Sequence, residues 1–193
     1  NGQMPPPTEA TIERMAARRK MRRPNDGTAW WLDVDGPGPY DGPESVSIAE
    51  RCILGFTGTV PTFPSLYTNS KRIVQTEDHV MILIEMVHDA RVVRMNSEHP
   101  GPEIRSWIGD SIGWWEGDTL VVETTNIPQT QQFMGSWKDL KVTEKFKRVA
   151  DDRLYYSFTV DDPTMWDAPW GGEYEFHPLE TQRLYEYACH EGN

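Results

Sequence analysis

The alternation of side chains between Leu154 and Val160 constrains the fold of this chain more than any other feature. Leu154, Tyr156, Phe158 and Val160 occupy every second position, and more polar residues lie between them. Because successive side chains of a strand point to opposite faces, this period of two predicts a half-buried β-strand. A hairpin turn containing Gly117 marks the same kind of structure earlier in the chain.

Short runs of this kind follow one another from residue 71 to residue 189, with tight turns and no helical pattern between them. Such an antiparallel meander must close or bend to bury its core face and protect its edges. The sequence therefore predicts an all-β fold, either an antiparallel β-barrel of the lipocalin or calycin type or a strongly bent sandwich. A barrel of this size can hold one ligand in its mouth. The predicted strands are 71–75, 79–87, 91–95, 111–115, 119–125, 142–149, 154–160, 172–176 and 183–189.

Residues 1–47 are predicted to form an N-terminal extension, and residues 48–193 the β-barrel domain. A helix is expected from about residue 8 to residue 23, because Thr8 or Thr11 can cap it and Pro24 ends it. A long loop rich in Gly and Pro follows. Pro-rich and basic arms of this type often tie subunits together, so a homo-oligomer formed through the extension is one expectation.

The charge of the chain argues against two classes of partner. The formal net charge is −11, although the first 23 residues carry six basic and two acidic side chains. An acidic body does not suit a phosphate backbone or an anionic membrane surface. No apolar run approaches the ~20 residues that span a bilayer. A small-molecule or glycan ligand is expected instead.

Cys52 and Cys189 are the two cysteines of the chain. In an exported protein, two cysteines so far apart usually form one disulfide, here between an early loop and the last predicted strand. The alternative is a pair of free, buried thiols.

Several motifs resemble those of a family of exported bacterial proteins to which no activity is attached. They have the form W-x-G-D-S-x-G-x-W-E-G-D-T-L-V-V-E-T at 107–124 and Y-E-Y-A-C-H-E-G-N at 185–193, with further matches at 84–91 and 158–164. The resemblance covers about residues 48–193 and departs from the family pattern at 71–72 and 96–99. It implies a bacterial source and a periplasmic or secreted location, with the leader not present in this chain. It transfers no catalytic residue.

Glu85, His88, Asp89 and Arg91 form the first candidate site. Glu85 lies in an apolar predicted strand, where burial would raise its pKa and favour general acid or base chemistry. Asp89 can orient His88, and Arg91 can hold a carboxylate or an oxyanion. The alternative is a turn held by Asp89, with Glu85 in a buried ion pair with arginine.

A metal site is the second candidate. His88 and His190, with Glu186 or Glu85, have the side chains of a two-histidine, one-carboxylate site. No spacing in the sequence requires it, so no cofactor is predicted and a divalent metal remains the alternative. Structural histidines near a disulfide explain the same residues.

Tryptophans and polar side chains suggest a binding surface for sugar rings or aromatic molecules. The predicted binding residues are Arg105, Trp107, Asp110, Trp115 and Trp170. Two carboxylates across a glycosidic bond would allow hydrolysis, whereas many acidic residues here also suit turns.

Together these features favour an exported enzyme that performs acid–base chemistry, hydrolysis or elimination, on a carbohydrate or plant-derived small molecule. The alternatives are a non-catalytic ligand- or glycan-binding β-barrel and a metal-dependent enzyme that uses histidine and carboxylate ligands.

Overall fold

A computed structural model describes residues 3–21, 27–33, 35–36, 38, 41–43, 46–64, 69–179 and 183–189. These residues form a short α-helix and one sheet of eight strands that curls into a half-barrel. The predicted all-β, curled fold is therefore confirmed. The helix α1 spans Glu9–Met21, and the strands are β1 Lys71–Gln75, β2 His79–Ile84, β3 Ala90–Met95, β4 Asp110–Glu116, β5 Thr119–Thr125, β6 Lys141–Ala150, β7 Arg153–Asp161 and β8 Trp170–Phe176.

The strands lie in chain order, with β1 and β8 at the two edges of the sheet. All neighbouring pairs are antiparallel except β3 and β4, which pair in parallel from Val93 opposite Ser111 to Met95 opposite Gly113. A parallel pair needs a crossover connection, and residues 96–109 provide it. The prediction of a purely antiparallel meander is wrong at this junction.

The alternation that predicted β7 is present in the structure. Tyr156, Phe158 and Val160 are buried, while the residues between them are partly or largely exposed. Val142 and Phe146 lie on the same face of the neighbouring strand, opposite Val160 and Tyr156. The core therefore lies on the concave face of the curled sheet.

Two strand predictions need correction. The second strand ends at Ile84 and does not continue to residue 87, because Glu85 has right-handed helical backbone angles (φ −63°, ψ −44°) and begins a 3₁₀ turn in which Val87 and His88 have positive φ angles of 58° and 57°. These left-handed conformations interrupt an extended chain. Residues 183–189 are not a strand but an irregular segment.

The N-terminal helix packs against the segment that follows β7. Thr8 caps the helix, since its hydroxyl accepts a hydrogen bond from the Thr11 backbone N–H at 3.3 Å. The Thr8 backbone N–H donates to the Met165 carbonyl at 3.0 Å, and the Thr11 hydroxyl donates to the Thr164 carbonyl at 3.1 Å. The helix was predicted to reach about residue 23, and residues 22–26 lie outside the described part.

The predicted disulfide between Cys52 and Cys189 is confirmed, with Cα atoms 5.8 Å apart. It links the loop before β1 to the irregular C-terminal segment across 137 residues of sequence. Within the described ranges, no helix has the length and apolar character needed to cross a bilayer.

Candidate functional site

A cavity, called here the main cavity, lies between strands from the two ends of the curled sheet. Its volume is about 790 Å³. Strands β1 and β2 form one wall and strands β6 to β8 form the other, with the 62–64 segment between them. Most of its surface is apolar, and the main apolar and aromatic side chains are Phe63, Ile73, Ile82, Phe146, Leu154, Tyr174, Phe176 and Leu179.

A buried ion pair lies on the same face of the sheet. Arg91 on β3 donates a hydrogen bond to the Glu144 carboxylate on β6, and the two side chains are 3% and 0% exposed. Taking two charges out of water is costly unless they are paired and hydrogen-bonded. The Arg91 guanidinium also approaches the Thr124 hydroxyl, at 3.5 Å.

Two tyrosines, Tyr156 and Tyr174, lie next to the Arg91–Glu144 pair. The four side chains together form a polar layer beside the main cavity. Tyr156 donates to Glu144 at 2.8 Å and accepts a hydrogen bond from the Thr62 backbone N–H at 2.9 Å. Tyr174, on the cavity wall, donates to the Thr62 carbonyl. Burial and the negative charge of Glu144 raise the pKa of both phenols. Both hydroxyls therefore remain protonated donors.

Lys71, the first residue of β1, lines the main cavity. Its ammonium group donates to the Asn69 backbone carbonyl at 3.2 Å. Burial lowers the pKa of Lys71 to about 8, and the positive charge of Arg91 adds to this effect, while Glu144 partly opposes it. A lysine whose pKa is lowered in a cavity is a candidate for a functional role.

The predicted acid–base residues are divided among three places. Glu85 and His88 line a small hollow of about 430 Å³, to which Glu186 also belongs. The irregular C-terminal segment covers this hollow, where Glu85 accepts a hydrogen bond from the Tyr185 backbone N–H at 3.1 Å. Arg91 instead points into the core, so the anticipated ion pair of a buried arginine is made with Glu144 and not with Glu85.

Asp89 is buried beside the 55–58 segment. Its carboxylate accepts a hydrogen bond from the Gly55 backbone N–H at 2.9 Å. Burial raises the pKa of Asp89 to about 6, although the Gly55 hydrogen bond and the nearby His88 act in the opposite direction. Asp89 can therefore change its charge near neutral pH.

No group of three potential metal ligands occurs among the described residues. His88 and Glu186 both line the small hollow, whereas His190 lies outside the described residues. The predicted metal site thus stays a prediction.

The predicted binding residues are spread over the surface and do not line the main cavity. The Arg105 guanidinium donates to the Ile127 carbonyl at 2.8 Å and lies 5.1 Å from the centre of the Trp137 ring. Trp107 and Trp115 are 47% and 46% exposed. Trp170 is half-buried in an aromatic cluster with Trp166, 5.6 Å away between ring centres.

Asp110 belongs to a charged cluster at the start of β4. Arg94 donates two hydrogen bonds of 2.9 Å to its carboxylate, and the His99 Nδ1 atom lies 2.5 Å from it. The His99 Nε2 atom lies 3.4 Å from Glu123 and is shielded from solvent. The cluster joins the 96–99 loop to strands β3, β4 and β5.

Sequence reasoning missed Lys71, Glu144, Tyr156 and Tyr174 as site residues. A signal for Glu144 was present, because it lies between Val142 and Phe146 on the apolar face of its strand. A carboxylate in that position is buried and needs a partner. The identity of the partner depends on strand register, which the residues alone do not give.

Comparison with protein-family models, with curated proteins and with solved structures finds no match for this chain.

Proposed function

We propose that the protein binds a small, mostly apolar molecule in the main cavity of its half-barrel. The cavity volume of about 790 Å³ lies within the ~300–1,000 Å³ range of small-molecule sites. Mostly apolar walls with a few polar groups at one end are typical of such sites. Here Lys71, Thr62 and Tyr174 form the polar end next to the buried ion pair, and further charged residues of the lining lie at its rim, namely Arg148, Asp151, Asp152, Arg153 and Glu175.

One observation carries this proposal, namely that apolar wall residues of the cavity remain exposed. Phe63, Ile73 and Leu179 are each more than 40% exposed although they line a concave surface. Removing such apolar side chains from water stabilises the folded state. A bound apolar molecule would cover them, whereas the residues that the structure describes leave them open.

The test uses a neutral, environment-sensitive fluorescent probe, N-phenyl-1-naphthylamine, and two neighbouring residues of β1. Ile73 lines the cavity and is 42% exposed, whereas Val74 is 40% exposed and does not line it. We expect saturable binding that Ile73→Trp weakens at least tenfold and Val74→Trp leaves unchanged. Equal binding by the two variants would show that the probe binds elsewhere.

Acid–base catalysis is a second candidate function, favoured by the position of Glu85 and His88 in one small hollow. Asp89, adjacent to His88 in sequence, has a raised pKa. The proposal is hydrolysis or elimination on a carbohydrate or plant-derived molecule, with the exposed Trp107 and Trp115 as stacking surfaces. A pH-dependent activity on oligosaccharides that His88→Ala abolishes, with the fold retained, would support it. Unchanged activity in that variant would exclude this role for His88.

Location in the periplasm or outside the cell is part of the proposal. The Cys52–Cys189 disulfide supports it, since such bonds persist mainly in oxidising compartments.

A further inference from the structure

The charges at the polar end of the main cavity do not cancel. Arg91 and Glu144 neutralise each other as an ion pair. The Tyr156 hydroxyl donates to Glu144, and the Tyr174 hydroxyl donates to the Thr62 backbone carbonyl. Lys71 adds one positive charge when it is protonated. No carboxylate of the described residues lies within ion-pair distance of its ammonium group, whose hydrogen bond goes to the Asn69 carbonyl.

Two arginines, Arg148 and Arg153, also line the main cavity, at its rim. Arg153 lies 3.7 Å from Glu175 and 3.8 Å from Asp152. Arg148 donates to the Asp151 backbone carbonyl at 2.8 Å. Within the described ranges, Arg148 thus also lacks an acidic partner, but its side chain is exposed, whereas Lys71 is only partly exposed. Among the described residues, Lys71 is therefore the more buried of the two basic side chains, lysine or arginine, that line the cavity without an acidic partner.

A charge in an apolar surrounding is destabilised unless an opposite charge compensates it. The lowered pKa of Lys71 reflects this cost. A ligand that brings one negative charge next to the ammonium group would remove the cost, and the burial would strengthen the attraction.

We infer that the molecule bound in the main cavity is an amphipathic monoanion, an apolar body with one carboxylate, and that Lys71 is the counter-ion of that carboxylate. This inference rests on the proposed binding function. The acidic rim residues Asp151, Asp152 and Glu175 favour a single charge, because they would repel a ligand with several negative charges.

The experiment compares two compounds of similar shape, 2-naphthoate and 2-naphthalenemethanol, in competition with the neutral probe at pH 7. The wild-type protein is expected to bind the carboxylate at least tenfold more tightly than the alcohol. Lys71→Met should remove this preference while still binding the alcohol. Lys71→Gln, which keeps a hydrogen-bond donor without the charge, should behave like Lys71→Met. Arg72→Met is the matched control, since Arg72 follows on β1 but lines the small hollow, and it should keep the preference.

The pH dependence gives an independent readout. Carboxylate affinity should fall as the pH rises above about 8, where unliganded Lys71 loses its proton, whereas alcohol affinity should stay constant. Equal affinities for both compounds, or a preference that persists in Lys71→Met, would overturn the inference and leave the binding function intact. Failure of the neutral probe itself to bind would overturn both.

Discussion

Arg91 on β3 and Glu144 on β6 form an ion pair at the centre of the half-barrel, with side chains that are 3% and 0% exposed. Two strands, β4 and β5, lie between β3 and β6 in the sheet, and the curvature of the sheet brings the inner faces of β3 and β6 together. The pair links the early and the late strands of the sheet directly beside the main cavity.

Loss of either partner alone should strongly destabilise the fold. Arg91→Met or Glu144→Gln leaves one buried charge uncompensated, and we expect a loss of ~3–5 kcal/mol in the free energy of unfolding. The double variant Arg91→Met/Glu144→Gln should lose much less than the sum of the two single variants. Urea denaturation measures this coupling. The exposed pair Lys145–Glu116 is the control, and Lys145→Met should change stability by less than ~1 kcal/mol. Additive losses at Arg91 and Glu144 would contradict the pairing.

Asp89 should make stability depend on pH between about 4 and 6. Burial raises its pKa in the folded state to about 6 from the ordinary value of 3.8, so the folded state binds more protons in this interval. Its contribution is therefore full below pH 4 and is lost as the pH rises through 6. Asp89→Asn keeps an acceptor for the Gly55 N–H and should flatten this part of the profile, as measured by thermal unfolding across pH.

Asp118→Asn is the control, because Asp118 should change stability with pH in the direction opposite to that of Asp89. The Lys147 ammonium group, 3.1 Å away, lowers the pKa of Asp118, so its small contribution is lost as the pH falls. A profile for Asp89→Asn identical to that of the wild type would show that the Asp89 carboxylate does not titrate in this interval.

Lys71→Met should stabilise the unliganded protein at pH 7. Burial lowers the folded-state pKa of Lys71 to about 8, below the ordinary value of 10.5, so its protonated form is disfavoured by folding. Above pH 10.5 Lys71 is neutral in the folded and the unfolded state and does not reduce the free energy of unfolding. As the pH falls from 10.5 through 8, the unfolded state takes up a proton more readily than the folded state, so the free energy of unfolding decreases. We expect a gain of ~1–2 kcal/mol at pH 7, reduced for partial exposure, that disappears by pH 10.5. A destabilised variant at pH 7 would contradict the burial of this charge.

The disulfide should contribute substantially to stability. Cys52 and Cys189 close a loop of 137 residues, and the chain-entropy model gives ~3–5 kcal/mol for such a cross-link. The double variant Cys52→Ser/Cys189→Ser should have a lower Tm and freer motion at Tyr185 and Tyr187, observed by hydrogen exchange of their backbone amides. Unchanged exchange there would show that Glu85 and His88 hold the segment without the disulfide.

Local patterns predicted most of the sheet because hairpin strands depend on nearby residues. The alternation around Tyr156 and the turn at Gly117 are typical of hairpin strands, and the predicted ends of β4 to β7 lie close to the observed ends. The parallel pairing of β3 with β4 could not be read in the same way, since it depends on how the 96–109 connection crosses the sheet. The error at 183–189 has a similar cause, because that segment is held by a disulfide and not by strand pairing.

The site was harder to predict than the fold because its residues converge through register. Glu85, His88 and Asp89 lie close together in sequence and could be predicted as one site. Lys71, Arg91 and Glu144 come from three separate strands. Arg91 was recognised as a residue able to hold a carboxylate, and the carboxylate it holds belongs to the protein itself. Charged side chains on the apolar face of a strand are the sequence signal for such a layer.

Methyl NMR spectroscopy tests the central claim, binding in the main cavity, most directly. The protein would be labelled at isoleucine, leucine and valine methyl groups and titrated with 2-naphthoate. We predict saturable shift changes at Ile73, Ile82 and Leu179 on the cavity wall, with none at Val74 and Val92, which are exposed and do not line the cavity. Shifts confined to Val74, Val92 or other residues away from the cavity, or no shifts at all, would contradict the account.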